Sequence, residues 1–203
     1  RRAIIFIIKK FKNIKKLKLL SALRKKKYFR DLESLSYGGY YHNIEIYGYS
    51  TWGLFGRRHN AVSQDDDFYE FQWRLIKKWI KKKFKTEQKK IFNNKVFLEL
   101  GPAEGFHTLK MFKEGAKFGW LITPQTTLSR RCEIILKINH IKNYLIVSDY
   151  FPLNEFADNA LKKEIKKCDL ILCLGVIYHA KNVIEFLNKL ISYDVPIIME
   201  YAY

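Results

Sequence analysis

Two glycines with acidic neighbours lie between an apolar run and a helical pattern. The segment 99–106 reads ELGPAEGF and continues the apolar run 96–100. Gly101 and Gly105 permit a tight turn and close approach of a ligand to the backbone, and the next helix offers N–H groups at its amino terminus. The segment therefore predicts a ligand-binding turn. It differs from the dinucleotide-binding GxGxxG pattern, whose third glycine tightens the packing of helix against sheet.

A second group of reactive side chains follows a later apolar run. The segment 169–179 reads DLILCLGVIYH and ends on Tyr178 and His179. His179 is the candidate general base of this group. The alternatives are a hydrogen-bonded structural histidine at a strand-to-helix turn and, for Tyr178, a packing residue. The other four histidines are scattered along the chain, so no metal site is predicted; they are His42, His59, His107 and His140.

Apolar runs alternate with helical patterns from residue 95 onward. Strands are predicted over 96–100, 118–122, 144–147, 168–174 and 195–200, and helices over 106–113, 128–139 and 182–191. This alternation predicts an α/β fold, a Rossmann-like doubly wound and mostly parallel sheet covered on both faces. Right-handed crossovers then place the ligand crevice at the carboxyl ends of the strands.

These motifs resemble those of the class I S-adenosylmethionine-dependent methyltransferases. An acid two residues before the first glycine, with glycines four apart, is similar to their motif I, and 169–179 resembles their strand-four motif. The sequence GVIYH is similar to that of a subset of the family, which includes enzymes modifying the wobble uridine of tRNA as well as many small-molecule and glycan methyltransferases. The resemblance covers roughly residues 95–200.

The resemblance implies S-adenosylmethionine as the cofactor and assigns roles to individual residues. Tyr178 and His179 are expected to face the methyl-transfer site, and Asp149 to lie beside the adenine amino group. The remaining cofactor-binding candidates are Glu99, Gly101, Ala103 and Gly105 around the methionine part, Thr123 and Gln125 after the second predicted strand, and Gly175 after the fourth.

Two features depart from the family pattern. Thr123 stands where the family has an acid that binds the ribose hydroxyls, and Gln125 is the candidate substitute. Loss of that charge-assisted pair weakens cofactor binding by about 1.5 to 3 kcal/mol. The predicted strands also lack the family's final hairpin, as if the sheet were truncated after its fifth strand. The edge of that strand is therefore a candidate surface for a protein or ribonucleoprotein partner.

The basic charge is concentrated at the start of the chain. Residues 1–30 contain 13 cationic side chains and no acid, which leaves a net charge of +5 for the rest of a chain of net charge +18. Apolar residues recur at helical spacing between Ile4 and Leu17, so a basic amphipathic helix is predicted. Such a helix binds RNA phosphates, an anionic membrane surface or a partner's groove, or is the remnant of an organelle transit peptide.

Three regions are predicted: a basic arm over 1–36, an aromatic-rich lid and helical lead-in over 37–94, and the methyltransferase-like domain over 95–203. In the second region, aromatic residues beside Arg57 and Arg58 suit either base stacking on RNA or simple packing as a lid. A helix is predicted over 68–85. Its apolar stripe contains Phe71, Leu75, Trp79 and Ile80.

Composition excludes several classes of protein. A chain of 203 residues with 48% hydrophobic residues can bury a full core, which excludes wholesale disorder. The longest apolar run, Ala3–Ile8, is much shorter than the ~20 residues of a membrane span. Three cysteines without a CxxC pair indicate a reducing intracellular compartment, cytoplasm or organelle matrix, and no cysteine-based zinc site.

Three functional hypotheses follow from the sequence, in this order. The first is a methyltransferase that acts on RNA held by residues 1–30. The second is a catalytically silent, methyltransferase-like subunit of a ribonucleoprotein such as an organellar ribosome. The third is a methyltransferase for a glycan or lipid-linked substrate at a membrane surface.

Overall fold

A computed structural model describes residues 18–56, 66–85, 90–153 and 155–200. The chain divides into two compact units, Arg1–Tyr37 and Gly38–Tyr203. The described part of the first unit contains a helical stretch over 18–23 and helix α1 (Phe29–Ser34). The Arg24 guanidinium donates to both oxygens of the Glu33 carboxylate there, at 2.7 and 2.9 Å. The whole amphipathic helix predicted between Ile4 and Leu17, and both Arg57 and Arg58, lie outside the described residues.

The second unit opens with a short hairpin. Strand β1 (Glu45–Ile46) pairs antiparallel with β2 (Tyr49–Ser50), and helix α2 (Thr51–Phe55) follows directly. The alternating pattern of 42–46 predicts a longer strand than the structure has. The strand is shorter because Ile44 bonds to the first residue of α2 instead: its amide donates to the Thr51 hydroxyl, and its carbonyl accepts from the Thr51 amide.

Helix α3 (Asp66–Phe84) follows, close to the predicted bounds, but only part of its predicted apolar stripe is buried. Ile80 is buried as predicted, whereas the side chains of Phe71 and Leu75 are 50% and 52% exposed. Trp73 and Ile76, which were not assigned to the stripe, are buried. The apolar positions of this helix form two overlapping stripes, and the sequence pattern alone does not determine which one is covered.

Five parallel strands form the sheet of this unit. They are β3 (Val96–Leu100), β4 (Phe118–Ile122), β5 (Tyr144–Val147), β6 (Leu170–Cys173) and β7 (Ile197–Met199), in the spatial order β5-β4-β3-β6-β7. All five were predicted, and the predicted Rossmann-like parallel sheet is confirmed. From β3 the next two strands are added on one side, and β6 and β7 are then added on the other side of β3. The boundary between β3 and β6 is therefore the topological switch point, where open α/β sheets bind ligands.

Helices cover both faces of the sheet. They are α4 (Phe106–Lys113), α5 (Thr126–Ile138), α6 (Glu155–Ile165) and α7 (Val183–Ile191), with a 3₁₀ turn at Ile177–His179. The core on one face joins alternate strand residues to α6 and α7, for example Leu98 and Ile171 to Ile165 and Phe186. No helix was predicted where α6 lies, because its apolar signal is short. Within the described part of the chain, no helix has the length and apolar content needed to cross a membrane.

The carboxyl ends of the strands are level with one another. Leu100 is in register with Ile122 on one side and Cys173 on the other. Backbone bonds continue this alignment past the strand ends, since the Gly101 amide donates to the Ile122 carbonyl and the Thr123 amide to the Val147 carbonyl. The loops that leave the strands therefore begin side by side, at what we call the carboxyl edge.

Candidate functional site

The turn after β3 has a backbone that favours glycine. Gly101 and Gly105 have φ angles of +66° and +86°, and Ala103 between them also has a positive φ of +48°. A Cβ atom on Gly101 would lie 2.5 Å from Cγ2 of Val176, and one on Gly105 would lie 2.7 Å from Sγ of Cys132. Both positions therefore exclude larger residues on two independent grounds. Gly105 also begins α4, and no side chain caps this helix end.

Glu99 lies buried beneath this turn. Its carboxylate accepts a hydrogen bond from the hydroxyl of Thr108 on α4. Burial raises the pKa of Glu99 to about 7, although the Thr108 bond acts in the opposite direction. The side chain thus ties the strand to the helix on the other side of the turn. Its implied contact with the methionine part of a cofactor stays a prediction.

Thr123 and Gln125 follow β4 in different environments. Thr123 is buried, and its hydroxyl accepts a long hydrogen bond of 3.4 Å from the Gln125 amide. The Gln125 side chain is exposed and does not cap α5. The position that the family pattern gives to an acid is therefore occupied here by a short, buried hydroxyl at the carboxyl edge.

Asp149 lies after β5, as predicted, and is half-buried. One of its carboxylate oxygens accepts from the Tyr150 amide at 2.8 Å. The structure thus brings the turn after β3, Thr123 and Asp149 to the same edge of three adjacent strands. Their predicted contacts with a cofactor remain predictions.

Gly175, Tyr178 and His179 lie after β6. Tyr178 is 59% exposed, His179 is exposed, and their rings are 4.4 Å apart. Gly175 has a φ of +64°, and a Cβ there would lie 3.3 Å from the Tyr178 hydroxyl and 3.8 Å from Oε2 of Glu200. Burial, then the charges of Glu200 and Tyr41, raise the pKa of Tyr178. Exposed aromatic and imidazole groups at this edge are suited to contact an acceptor molecule.

A buried ionic network around Glu104 also holds the glycine turn in place. The Glu104 side chain has no exposed surface, and one of its oxygens accepts from the Tyr41 amide at 3.1 Å and from Nη1 of Arg131 at 3.2 Å. Its other oxygen lies 2.9 Å from Nδ1 of His42. Arg131 also donates to the Gly39 carbonyl at 2.9 Å and lies over the Tyr40 ring.

The charges of this network balance one another. Burial acts to raise the pKa of Glu104, but the His42 contact, the Tyr41 amide and Arg131 outweigh it, and the pKa is lowered. The network joins three segments that are distant in sequence: the lead-in before β1, the glycine turn and α5. It therefore holds Tyr41 at the carboxyl edge, close enough to affect the Tyr178 hydroxyl.

Aromatic rings surround His42 on its remaining sides. Its ring stacks on Phe106 with centroids 5.5 Å apart and meets the edge of Tyr69 at 4.3 Å. The His107 ring centroid is 6.2 Å away, and its buried Nε2 has no hydrogen-bond partner among the described residues. Burial, His42 and Lys110 lower the pKa of His107 well below its usual value. Two histidines that are scattered in sequence are thus neighbours. Among the described residues, however, no three metal-ligating side chains converge.

Sequence reasoning missed His42, Arg131 and Tyr41, and it gave no role to Glu104. Only Glu104 carried a signal, because it lies between the two glycines of the motif. Arg131 is 27 residues from Glu104 and His42 is 62 residues away, so no local pattern links them.

Comparison with known proteins agrees with this geometry. No family model matches the sequence. A tRNA U34 carboxymethyltransferase of Colwellia psychrerythraea is 28% identical over 119 residues, which are 59% of this chain and 34% of that protein. The chain thus spans about one third of the length of the curated relative that it matches.

Solved structures share the fold at low sequence identity. The bifunctional kinase-methyltransferase WbdD superposes with a TM-score of 0.56 and 18% identity, over 84% of this chain and 35% of that one. EvdMO1 gives a TM-score of 0.53 and 16% identity, over 81% of this chain and 33% of that one. Together, the fold and the curated relative confirm the resemblance that the sequence motifs indicated.

Proposed function

We propose that this chain, which has the fold of the class I S-adenosylmethionine-dependent methyltransferases, binds S-adenosylmethionine at the carboxyl edge and transfers its methyl group to RNA. One observation carries the proposal. The turn Gly101–Gly105 lies at the topological switch point and excludes any side chain at both glycines. The left-handed backbone at both glycines places this close-packed turn at the start of α4, at the position where open α/β sheets bind ligands.

The residues present fit this cofactor. A cationic sulfonium is favoured by an acidic surrounding, and the loops of the carboxyl edge supply Asp149 and Glu200. The turn 101–105 would hold the methionine part, Thr123 the ribose and Asp149 the adenine. The cofactor supplies a methyl group that is already strongly electrophilic, so the contribution of the protein is mainly positioning.

The chain's own residues then orient the acceptor and exclude water. Tyr178 and Tyr41 offer an aromatic surface at the carboxyl edge, and Gly175 leaves the space between the Tyr178 hydroxyl and the Glu200 carboxylate unfilled. An acceptor that must lose a proton needs a base within hydrogen-bond reach. An imidazole nitrogen of His179 is the predicted proton acceptor, and its exposure makes it accessible to an acceptor molecule.

Two features support RNA as the acceptor. The curated relative is named for its action on tRNA. Residues 1–30 contain 13 cationic side chains and no acid, which suits phosphate binding. Arg57 and Arg58 are proposed as further RNA contacts on the basis of the sequence alone.

A second candidate is a methyltransferase-like subunit without catalysis. Thr123 favours it, because its hydroxyl is buried and already accepts a bond from the Gln125 amide. Such a group binds ribose hydroxyls less strongly than a carboxylate does. Under this proposal the fold serves as architecture in a ribonucleoprotein.

Titration with S-adenosylmethionine followed by thermal unfolding separates the two candidates. The first predicts stabilisation of about 2.7 kcal/mol at a ligand concentration one hundred times the dissociation constant. Thr123→Asp should bind about ten- to one-hundred-fold more tightly, because it restores the charge-assisted bonds. Gly105→Arg should abolish the response. No stabilisation of the wild type at millimolar cofactor would favour the silent subunit.

A transfer assay with radiolabelled S-adenosylmethionine then tests the acceptor. Total RNA should become labelled, and ribonuclease treatment before the reaction should remove the signal. Label that instead resists ribonuclease and partitions with glycans or lipids would contradict the RNA proposal while leaving methyl transfer intact. His179→Gln should lower the transfer rate without changing cofactor binding.

A further inference from the structure

The opposite end of the sheet, where the strands begin, has a very different surface. We call it the lysine edge, and it consists of the last turn of each helix from α3 to α7 with the loop that leads to the next strand. Its described residues include sixteen lysines, no arginine and four acids: Glu114, Glu164, Asp169 and Asp194. Lys81, Lys82, Lys113, Lys117 and Lys166 are exposed members of this set.

Backbone hydrogen bonds show that these loops form one continuous surface. The Lys117 amide donates to the Lys95 carbonyl at 2.7 Å, and the Asp169 amide donates to the Val96 carbonyl at 2.7 Å. The Gly119 amide bonds to the Asn143 carbonyl at 3.1 Å on the far side. The loops before β3, β4, β5 and β6 are therefore neighbours, and their lysines share one face.

The acids of this edge do not neutralise it. Glu114 pairs with Lys77, Glu164 with Lys167 and Asp169 with Lys95, at 2.5, 2.7 and 2.9 Å. Within the part of the chain that the structure describes, Lys81, Lys82, Lys113, Lys117 and Lys166 form no ion pair.

Helix dipoles explain only part of this pattern. A lysine in the last turn of a helix is stabilised by about 0.3 to 1 kcal/mol, which accounts for one or two on each helix. The loop lysines lie outside the helices, and each further cation on the same face repels the others. A bound polyanion reduces the repulsion among these cations, and it replaces the counterions that otherwise accumulate at the surface.

The chemistry of the surface favours a phosphate backbone over a bilayer. Membrane-surface binding needs an apolar face beside the cations. Among the described residues of this edge, Ile191 in the last turn of α7 is the one exposed large apolar side chain, so no apolar patch accompanies the cations there. Lysines are mobile point charges without the planar fork with which arginine reads bases, so they recognise phosphates and not sequence.

We propose that the lysine edge binds the phosphate backbone of RNA, independently of base sequence. The choice of RNA as the polyanion rests on the proposed function. A five-residue strand is about 17 Å long, so an RNA docked here extends about that far to present a nucleotide at the carboxyl edge. The surface is thus a docking platform separate from the site of transfer.

Charge reversal in the full chain tests this proposal. The variant K117E/K166E changes two exposed lysines of the edge. The control R74E/R130E makes the same change in net charge at exposed positions outside both edges, and leaves residues 1–30 intact. Binding of labelled total tRNA and of poly(U) is measured between 50 and 300 mM salt, together with binding to vesicles that contain anionic lipid.

The edge variant should bind both RNAs about tenfold or more weakly, and its log–log salt slope should fall by about 1.4 to 1.8 relative to the wild type. The control variant should show much smaller changes in RNA affinity and in the log–log salt slope. Equal losses in both variants would overturn the proposal, as would unchanged RNA affinity with loss of vesicle binding. The thermal response to S-adenosylmethionine should be the same in all three proteins. A wild type without that response, but with RNA binding lost only in the edge variant, would contradict the proposed enzyme and support the docking surface.

Discussion

The two edges of the sheet differ in charge, although the same five strands connect them. The lysine edge has sixteen lysines against four acids among its described residues. The loops of the carboxyl edge, with the first turns of the helices that follow, have six acids against the single lysine Lys181 in the part described. Helix dipoles favour this arrangement at both ends, with acids at amino termini and cations at carboxyl termini.

The edges also differ in the burial and the partners of their charged side chains. At the carboxyl edge, Glu104 and Arg131 are buried, and each is held by several fixed partners. At the lysine edge, most cations are exposed and surrounded by solvent. Buried ions have to be matched at fixed geometry, whereas exposed ions remain available to an external partner. The first arrangement fixes the geometry of a turn, and the second leaves cations exposed for the RNA binding that we propose.

The largest expected effect is at the buried network. Glu104→Ala leaves the Arg131 guanidinium buried without its carboxylate partner, which should cost about 3 to 5 kcal/mol of unfolding free energy. Lys117→Ala at the lysine edge should change it by less than about 0.5 kcal/mol. Urea denaturation of both variants measures the difference between their free energies of unfolding. Similar small losses in the two would mean that the network does not hold the turn.

The next largest effect concerns Glu99 and depends on pH. Its folded pKa of about 7 lies above its ordinary value of 4.5, so the folded state binds a proton more tightly than the unfolded state. Stability should therefore fall as the pH rises from about 4.5 to 7, by at most about 3 kcal/mol, and the loss is complete above that range.

Glu99→Gln removes this titration. The variant should be more stable than the wild type at pH 8 and should lose that advantage at pH 5, measured as a difference of unfolding free energies. His107 has a lowered pKa and opposes this trend in both proteins, so it cancels in the difference. A difference that is constant with pH would show that the Glu99 carboxyl is not desolvated.

A smaller effect is expected at Gly101, where the strain of a positive φ can be separated from the close packing of the glycine turn. Gly101→Ala and Gly48→Ala both place an alanine at a positive φ, +66° and +79°, but only the first meets another atom, Cγ2 of Val176. Gly101→Ala should cost about 1 to 3 kcal/mol more than Gly48→Ala, because of overpacking. It should also lose the thermal response to S-adenosylmethionine, which Gly48→Ala should retain. Equal losses of stability and equal thermal responses in the two variants would contradict a ligand-binding role of the turn at Gly101.

The smallest effect is at the lysine edge itself. Asp169 pairs with Lys95 and accepts from the Val96 amide, both at 2.9 Å, with side chains about one quarter and one third exposed. Asp169→Asn keeps an acceptor for the amide but removes the ion pair, so it should cost about 1 kcal/mol or less. The cost should shrink in 1 M salt. A cost that persists unchanged in 1 M salt would mean that the amide bond dominates.

The elements that position the site were predictable. Each strand of the sheet is a short apolar run bounded by polar or glycine residues, which is a local signal. Gly101 and Gly105 were identified for the same reason, since their spacing is local. Helix α6 was missed because Leu161 and Ile165 give little periodicity, and the buried face of α3 was partly misassigned because Phe71 and Leu75 fit a helical stripe equally well.

The charge distribution shows a different kind of limit. After residue 30 the net charge is only +5, so the sequence indicates a nearly balanced charge for this part of the chain. The parallel sheet places every loop before a strand at one edge and every loop after a strand at the other. Charges that alternate along the chain are thereby separated in space, and the average over the sequence conceals this.

The amino-acid sequence by itself determined the strands, their alternation with helices and the glycine turn, because these depend on neighbours within a few residues. The tertiary structure alone decided that Glu104 meets His42 and Arg131, that Thr123 is buried with its hydroxyl engaged, and that the lysines share one edge. Such contacts depend on which segments the sheet order and the crossovers bring together, and residues far apart in the chain carry no local pattern that records this.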